Sequence, residues 1–176
     1  MLGVSEILPH TLEPPAGLKH CRSVLDVGAG VRPMQWYKPE RHVCLEPYAP
    51  YVAVLRAAGY DVLVDEHGRP VSALEGLGLL AIAPEPRFEA VYLLDVIEHM
   101  EKWEGRKVLE LAQRVATVQV VVYTPHGFKE QTTDAWGYGG DYWQTHRSGW
   151  TPDDFPGWAV TLLPGPGALF AVWDAA

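Results

Sequence analysis

Short apolar runs alternate with helix-like segments along most of this chain, and this alternation limits the folds available to it. The runs "RSVLDVG" and "RHVCLEP" each end in an acid or a glycine turn. That pattern is typical of strands buried on both faces of a parallel sheet. Between such runs, "YAPYVAVLRAAGY" has apolar residues at helical spacing and Gly59 where a helix would end. The alternation predicts an α/β sandwich with right-handed crossovers.

The rest of the chain continues the pattern until its last two strands. "DVLVDE" predicts a third strand, "VSALEGLGLLAIA" a helix weakened by its glycines, and "FEAVYLLDVIEHM" a fourth strand that breaks near Asp95. "EGRKVLELAQRVA" predicts an amphipathic helix, and "VQVVVYTP" a strand that ends at Pro125. "WAVTLLP" and "ALFAVWD" flank "GPG" with no helix between them. They should therefore pair as an antiparallel hairpin.

Composition limits the class of protein and its partners. A chain of 176 residues with 48% hydrophobic and 20% charged residues suits one globular domain, residues 1–176. The net charge of −8 and the lack of a basic run argue against nucleic acid or an anionic membrane as the main partner. Cys21 and Cys44 have neither disulfide nor metal-site spacing, and no signal peptide opens the chain. We expect a cytoplasmic monomer or homodimer that binds a small molecule.

Two segments stand apart from the strand–helix alternation. Residues 1–22 hold three prolines and weak periodicity, which predicts an irregular arm or a short helix over the core. Residues 125–156 form a long connection that includes three tryptophans, two tyrosines and two phenylalanines. A connection of that length is usually a functional element, and a disordered linker would be poor in aromatic residues. We therefore interpret residues 125–156, the aromatic loop, as a lid over a substrate site.

The first strand runs into a glycine turn, Asp26-x-Gly28-x-Gly30, at the edge where α/β sheets bind ligands. A dinucleotide fingerprint needs a third glycine three residues later, where this chain has Pro33, and no Gly-Lys-Ser/Thr phosphate loop is present. The turn therefore suits a ligand that the backbone approaches closely but that carries positive charge instead of phosphates. An ordinary tight strand–helix turn is the alternative interpretation.

Acidic residues stand at the ends of the next strands as well. Glu46 ends the second strand, where a carboxylate accepts hydrogen bonds from both ribose hydroxyls, although it also suits a helix start before Pro47. Asp65, or its neighbour Glu66, is placed to face an adenine amine. Asp95 ends the fourth strand, where it lines a pocket or caps the following turn. Adenosine bearing a cationic sulfonium satisfies this set of acids.

The motifs "VLDVGAG", "CLEP", "YLLDVIEH" and "VVVYTPHG", in this order and spacing, resemble those of class I S-adenosylmethionine (SAM)-dependent methyltransferases. The "GVRP" turn and the aromatic loop are similar to those of small bacterial members of that family. The resemblance implies a Rossmann-like, three-layer α/β sandwich with a seven-stranded, mostly parallel sheet in the order 3-2-1-4-5-7-6 and an antiparallel last strand. It implies SAM as cofactor, with contacts from Asp26, Gly28, Gly30, Glu46, Asp65 and Asp95.

The chain departs from the family pattern at two places. Arg32 replaces the third loop glycine, and the connection to the second strand is so short that the usual first helix should be short or missing. A nicotinamide-dependent oxidoreductase remains an alternative that conflicts with Pro33. A non-catalytic member that binds a nucleoside or a partner is the other alternative, and the two departures favour it.

The predicted enzyme methylates an oxygen or nitrogen of a small or medium organic acceptor by in-line displacement. A base is needed only if the acceptor keeps its proton, and His99 and His126 are the two catalytic candidates. His99 stands near Glu98 and Asp95, but their spacing matches no zinc signature, so no metal site is expected. The predicted substrate wall lies in the aromatic loop: Gln131, Tyr138, Tyr142, Trp143, His146 and Trp150. For each of these alone, packing within the loop is the alternative.

Overall fold

A computed structural model of the chain describes residues 13–33, 36–83, 87–165 and 167–176. Seven strands form one sheet in the order β3-β2-β1-β4-β5-β7-β6. The neighbours from β3 to β5 are parallel, and β7 is antiparallel to both β5 and β6. The strands are β1 (Ser23–Val27), β2 (Arg41–Leu45), β3 (Asp61–Val62), β4 (Phe88–Leu94), β5 (Ala116–Pro125), β6 (Ala159–Leu163) and β7 (Ala168–Asp174). The predicted strand order and the predicted hairpin are confirmed.

The first three helices lie where the apolar spacing predicts them, whereas a fourth, short helix lies within the aromatic loop, where the sequence predicts none. They are α1 (Ala49–Ala57), α2 (Ala73–Ile82), α3 (Lys102–Val115) and the short α4 (Asp141–Gln144), with 3-10 turns at Ile97–His99 and Pro152–Asp154. α1 is followed by Gly59 at φ +87°, a left-handed conformation that glycine adopts without strain. α2 begins with a capping box between Ser72 and Glu75.

The core has unequal layers on the two faces of the sheet. α2 and α3 cover one face, where residues such as Leu25, Leu93 and Val108 are fully buried. On the other face, Leu55 of α1 packs against Cys44 of β2. Beside them, Leu18 of the arm, Trp36 and Tyr37 pack on the central strands. The α/β sandwich is therefore layered as predicted, but residues of the loop and the arm replace part of the second helical layer.

Two connections differ in detail from a regular alternation. No helix is present among the described residues between β1 and β2 (28–33 and 36–40), in agreement with the expected short or missing helix. The predicted third strand is present within "DVLVDE" but is short, since β3 contains only Asp61 and Val62. The chain turns at residues 66–68, where the Asp65 carboxylate accepts the backbone N–H groups of His67 and Arg69.

The arm is tied to the sheet by backbone donors. The Lys19 N–H donates to the Gln119 side chain (3.0 Å), and the Cys21 N–H donates to the Tyr37 hydroxyl (2.8 Å). Residues 1–12 of the predicted arm lie outside the described residues. Cys21 and Cys44 are both buried, and neither forms a disulfide, as expected of small apolar side chains. In the described part of the chain, no helix combines the length and the apolar content that crossing a bilayer requires.

Candidate active site

A cleft of about 270 Å³ lies at the carboxyl ends of β1, β2 and β4, with the aromatic loop along its outer side. It falls near the smallest volume typical of small-molecule sites. Its lining residues come from the strand ends, α1, the starts of α2 and α3, and the loop: Gly28, Glu46, Pro47, Tyr51, Ser72, Ala73, Asp95, Val96, His99, Met100, Glu101, Glu104, Tyr142, Trp143, Gln144 and Arg147.

The ends of β1 and β4 both turn through left-handed backbone at the floor of this cleft. Gly28 has φ +66°, and Asp95 has φ +63°, which is uncommon for a residue with a side chain. A Cβ on Gly28 would lie 2.7 Å from Cγ2 of Val96, so the two strand ends can approach only because residue 28 is glycine. The Asp95 N–H donates to the Tyr123 carbonyl of β5 (2.8 Å), which fixes this turn.

Glu46 is the most enclosed acid of the cleft, with 4% of its surface exposed. One carboxylate oxygen accepts the Gly30 N–H (2.9 Å), and the other accepts the Tyr48 N–H (3.0 Å). Burial raises the pKa of Glu46 to about 7, and the charge of Asp26 also raises it, whereas the two N–H donors lower it. Each oxygen keeps a second lone pair, so the carboxylate can accept two further donors from a ligand.

Two acids that were predicted to bind cofactor lie outside the lining of the cleft. Asp26 is buried in β1, and its carboxylate contacts the His42 imidazole at 3.2 Å. Asp65 lies in the turn after β3, where its second oxygen binds the Arg69 guanidinium at 2.7 Å. The Asp65 side chain is therefore bonded within its own turn, to residues that follow the short β3. Gly30 lies beside the cleft, with its N–H on Glu46 and the Trp136 indole over it.

A buried polar cluster lies beside the cleft, below the aromatic loop. Glu98 is 2% exposed, and its side chain accepts the Thr124 hydroxyl at 3.0 Å. Burial raises the pKa of Glu98 well above its usual range, and the nearby Asp95 carboxylate raises it further. Burial lowers the pKa of His99 to about 4, with Asp95 opposing that shift and the charge of Arg147 adding to it.

Arg147 crosses from the aromatic loop to this cluster. Its guanidinium donates to the backbone carbonyl groups of His99 (2.6 Å), Thr145 (3.0 Å) and Tyr142 (2.7 Å). Its backbone N–H and that of Ser148 donate to the Glu98 carbonyl. These bonds attach the loop to the turn after β4, so backbone hydrogen bonds hold the loop segment that bounds the cleft.

Asp134 organises the tip of the aromatic loop. Its carboxylate accepts the Tyr51 hydroxyl (2.5 Å) and the N–H groups of Trp136, Tyr138 and Gly140. Burial raises the pKa of Asp134, but these donors outweigh that effect and hold it below its usual range. Since Tyr51 belongs to α1 and lines the cleft, Asp134 connects the loop to the α1 side of the cleft.

The predicted substrate residues have different positions in the structure. Tyr142 and Trp143 line the cleft. Gln131 instead supports the loop, through its side-chain amide on the Gln144 carbonyl (3.0 Å), and the Tyr138 carbonyl accepts the Tyr48 hydroxyl (2.8 Å). Trp150 is fully buried in the core, where its ring packs over Gly105 of α3. Its position favours the packing alternative, since Trp150 lies near the end of the loop, where the chain returns to the core.

The two catalytic candidates are also separated. His99 lines the cleft, and its ring contacts the His146 ring with 4.8 Å between centroids. His126 is exposed, outside the lining residues, and its N–H donates to the Gly167 carbonyl (2.9 Å). The chain at His126 continues the antiparallel pairing of β5 with β7, so residue 126 lies away from the turn after β4.

Sequence reasoning did not select several residues of the cleft. Tyr51 follows a helical apolar pattern that indicates only core, and Glu101 and Glu104 stand at the start of α3, where acids are common. Arg147 stands beside His146 in the loop and is grouped with the substrate wall by sequence, but its contacts with backbone carbonyl groups leave no signal in the sequence. His146 was assigned to the substrate wall, whereas the structure places it on His99.

No family model matches this sequence, and neither does any curated protein. Solved structures do share its fold. A SAM-dependent methyltransferase from Archaeoglobus fulgidus aligns with a TM-score of 0.61 and 13% identity, over 88% of this chain and 86% of that one. The magnesium protoporphyrin IX methyltransferase of Synechocystis PCC 6803, solved with bound SAM, gives 0.54 and 11%, over 88% and 70%.

A third structure has a chemically different ligand in place. The plantazolicin methyltransferase BamL, in complex with a triazolic desmethyl analogue and S-adenosylhomocysteine (SAH), aligns with a TM-score of 0.57 and 9% identity, over 89% of this chain and 78% of that one. This chain therefore has the class I SAM-dependent methyltransferase fold. Its structural neighbours are methyltransferases that act on varied substrates, and several were solved with bound SAM or SAH.

Proposed function

We propose that this protein binds SAM in the cleft and transfers its methyl group to a small or medium organic acceptor held under the aromatic loop. The observation that carries the proposal is the position of Glu46. Its carboxylate ends β2, is bonded to the glycine turn after β1, and lines the same cleft as the aromatic loop. In a sheet of this order, that is the edge and switch point where nucleosides bind.

The residues present fit a nucleoside that carries positive charge. The lone pairs left on Glu46 can accept two ribose hydroxyls, and Pro47, Ala73 and Val96 offer apolar contact for a purine ring. Four carboxyl groups line the cleft (Glu46, Asp95, Glu101 and Glu104), whereas Arg147 is the one arginine or lysine among the described lining residues. Its guanidinium is already bonded to carbonyl groups. This charge favours a sulfonium over a pyrophosphate.

When bound, SAM supplies an electrophilic methyl group. The chain contributes orientation, because Tyr142 and Trp143 bound the acceptor end of the cleft and can hold a planar or apolar molecule. His99 is the one histidine in the described lining, and its depressed pKa leaves the imidazole neutral, so its ring can accept a hydrogen bond from an acceptor hydroxyl or amine.

The test is calorimetric titration with SAH and with NADH, followed by transfer assays with methyl-labelled SAM. We expect SAH to bind and NADH not to bind. Label should appear in a small-molecule fraction of a metabolite extract. Tyr142→Ala should lower that transfer by at least about tenfold while SAH affinity changes less than twofold, because Tyr142 lies at the loop side of the cleft.

Each result separates the candidate functions. NADH binding without SAH binding would contradict the proposal and favour an oxidoreductase. SAH binding without transfer to any fraction would favour a non-catalytic nucleoside-binding protein, an alternative that the absence of a helix in the described residues between β1 and β2 supports. If Tyr142→Ala lowered SAH affinity as much as transfer, Tyr142 would be assigned to cofactor binding and not to acceptor binding.

A further inference from the structure

Two histidines and a glutamate converge where the turn after β4 meets the aromatic loop. Glu98, His99 and His146 each bring one potential ligand atom to within 4.8 Å of the others. Glu98 and His99 are neighbours in the 3-10 turn, whereas His146 comes from the far end of the loop. The fold therefore assembles a cluster that the spacing of these residues in the sequence does not indicate.

Two side-chain atoms in this cluster are buried without a hydrogen-bond partner. They are Oε1 of Glu98 and Nδ1 of His99. A buried polar atom without a partner usually costs about 1–3 kcal/mol, so such atoms are rare unless a ligand satisfies them. Glu98 is 2% exposed, which leaves its free oxygen directed into the protein and not into solvent.

Two further polar atoms of the cluster are held by contacts outside it. The Thr124 hydroxyl donates to Oε2 of Glu98 at 3.0 Å. Nδ1 of His146 lies 2.7 Å from the Lys129 carbonyl, which requires a proton on Nδ1 and leaves a lone pair on Nε2. A metal-binding histidine usually donates its other ring N–H to a carbonyl or carboxylate, and a ligating carboxylate is usually hydrogen-bonded too.

We propose that Glu98, His99 and His146 bind one divalent transition-metal cation, of which zinc is the representative, at the inner wall of the cleft. Two imidazoles and a carboxylate are the ligands of many catalytic zinc sites, whereas magnesium and calcium prefer oxygen ligands alone. Three protein ligands leave a fourth position for water or an acceptor atom. The ion lies next to the cleft because His99 is itself a lining residue.

The surrounding charges are consistent with a cation at this place. Asp95 lies close enough to Glu98 to interact with its carboxyl group, and it adds a second negative charge. The positive charge of Arg147 repels a cation, but its guanidinium donates to three carbonyl groups, whose dipoles offset part of that charge. A metal at this position also uses the His99 imidazole, so the ligand role excludes a role for His99 as a free proton acceptor.

The test uses the full chain after dialysis against EDTA. Calorimetric titration with Zn²⁺ should give one equivalent bound with Kd at or below about 1 µM, and Co²⁺ should produce visible absorption bands that Zn²⁺ removes. Glu98→Gln keeps the shape and the Thr124 contact, and His146→Ala removes a ligand. Each should weaken Zn²⁺ binding by at least about hundredfold. His126→Ala, which removes an exposed histidine outside the cluster, should leave it unchanged.

The outcomes decide the proposal separately from the proposed function. Absence of stoichiometric Zn²⁺ and Co²⁺ binding to the unsubstituted chain overturns it and leaves Glu98 as a neutral acid beside Asp95. Zn²⁺ binding that survives in His146→Ala overturns it too, whether or not Glu98→Gln folds. SAH is titrated into the same metal-free protein, so SAH binding there keeps the methyltransferase proposal even when the metal site fails.

Discussion

The backbone N–H of Gly30 donates to the Glu46 carboxylate at 2.9 Å, so the turn after β1 is bonded to the residue that ends β2. This bond brings together the two strand ends that the sequence marks with glycines and an acid. It also gives Glu46 a fixed orientation, because its second oxygen is held by the Tyr48 N–H. The carboxylate therefore presents its remaining lone pairs to the cleft without side-chain rearrangement.

Replacing Glu46 with glutamine should weaken SAH binding by at least about tenfold, or about 1.4 kcal/mol. The amide loses the charge and one acceptor oxygen, while the shape of the side chain is kept. Calorimetry at pH 8 measures the effect. Asp65→Asn is the matched control, because Asp65 is bonded within its own turn and should leave the affinity unchanged. Loss of affinity only in Asp65→Asn would exchange the roles of the two acids.

The affinity for SAH should depend on pH through Glu46. Burial raises the pKa of Glu46 to about 7, so the carboxylate that accepts ribose hydroxyls is largely protonated at pH 6. Affinity should fall by up to about tenfold from pH 8 to pH 6. The pKa of Glu46 is higher in the folded protein than in the unfolded chain, so protonated Glu46 favours folding at low pH. This stabilisation is lost as the pH rises from about 4.5 to about 7. In Glu46→Gln both dependences should flatten, and a pH profile identical to that of the original chain would contradict this assignment.

Alanine at position 28 should destabilise the protein more than alanine at position 68. Both glycines have positive φ, but Gly68 has open space around it, whereas a Cβ on Gly28 lies 2.7 Å from Val96. We expect about 1–2 kcal/mol from backbone strain in Gly68→Ala and about 1–3 kcal/mol more in Gly28→Ala. Urea unfolding measures both. Val96→Ala should recover part of the extra loss, and strict additivity of the two substitutions would exclude the steric explanation.

Two helical glycines should respond to alanine with opposite signs. Gly78 in α2 has nothing near a new Cβ, so Gly78→Ala should stabilise the protein by about 0.5–1 kcal/mol. Gly105 in α3 faces Trp150, whose Cζ2 would lie 2.5 Å from the new Cβ. Since Trp150 is fully buried, Gly105→Ala should destabilise by about 1–3 kcal/mol. Thermal unfolding compares the two, and stabilisation in both would mean that Trp150 moves freely.

Removing the Asp134 carboxylate should loosen the aromatic loop without unfolding the domain. Asp134→Ala deprives the Tyr51 hydroxyl and three backbone N–H groups of their acceptor. Limited proteolysis should then cut within residues 132–142, and hydrogen exchange there should speed up. Methyl transfer should fall while SAH affinity is kept. Asp153→Ala, an exposed acid of the same loop, is the control, and equal protection in both variants would reject this role for Asp134.

The order of the elements could be predicted because it rests on local patterns. Strand runs such as "SVLDV" are mainly apolar and are buried, because both faces of the sheet are covered, and the hairpin follows from two strands joined by glycine and proline. β3 is shorter than the predicted run, since it ends at Val62, and the Asp65 side chain accepts N–H groups of the turn that follows. Local capping of this kind is difficult to distinguish from a strand end in sequence.

By itself, the sequence determined the class of fold, the glycine turn and the acid Glu46 that lines the cleft, since these depend on periodicity and on residues adjacent along the chain. Only the tertiary structure decided which side chains meet. It directed Asp26 to His42, buried Trp150 under α3, and placed His146 against His99 and Glu98. Such contacts join residues far apart in the chain, and they follow from how the loop closes over the sheet, which no local pattern encodes.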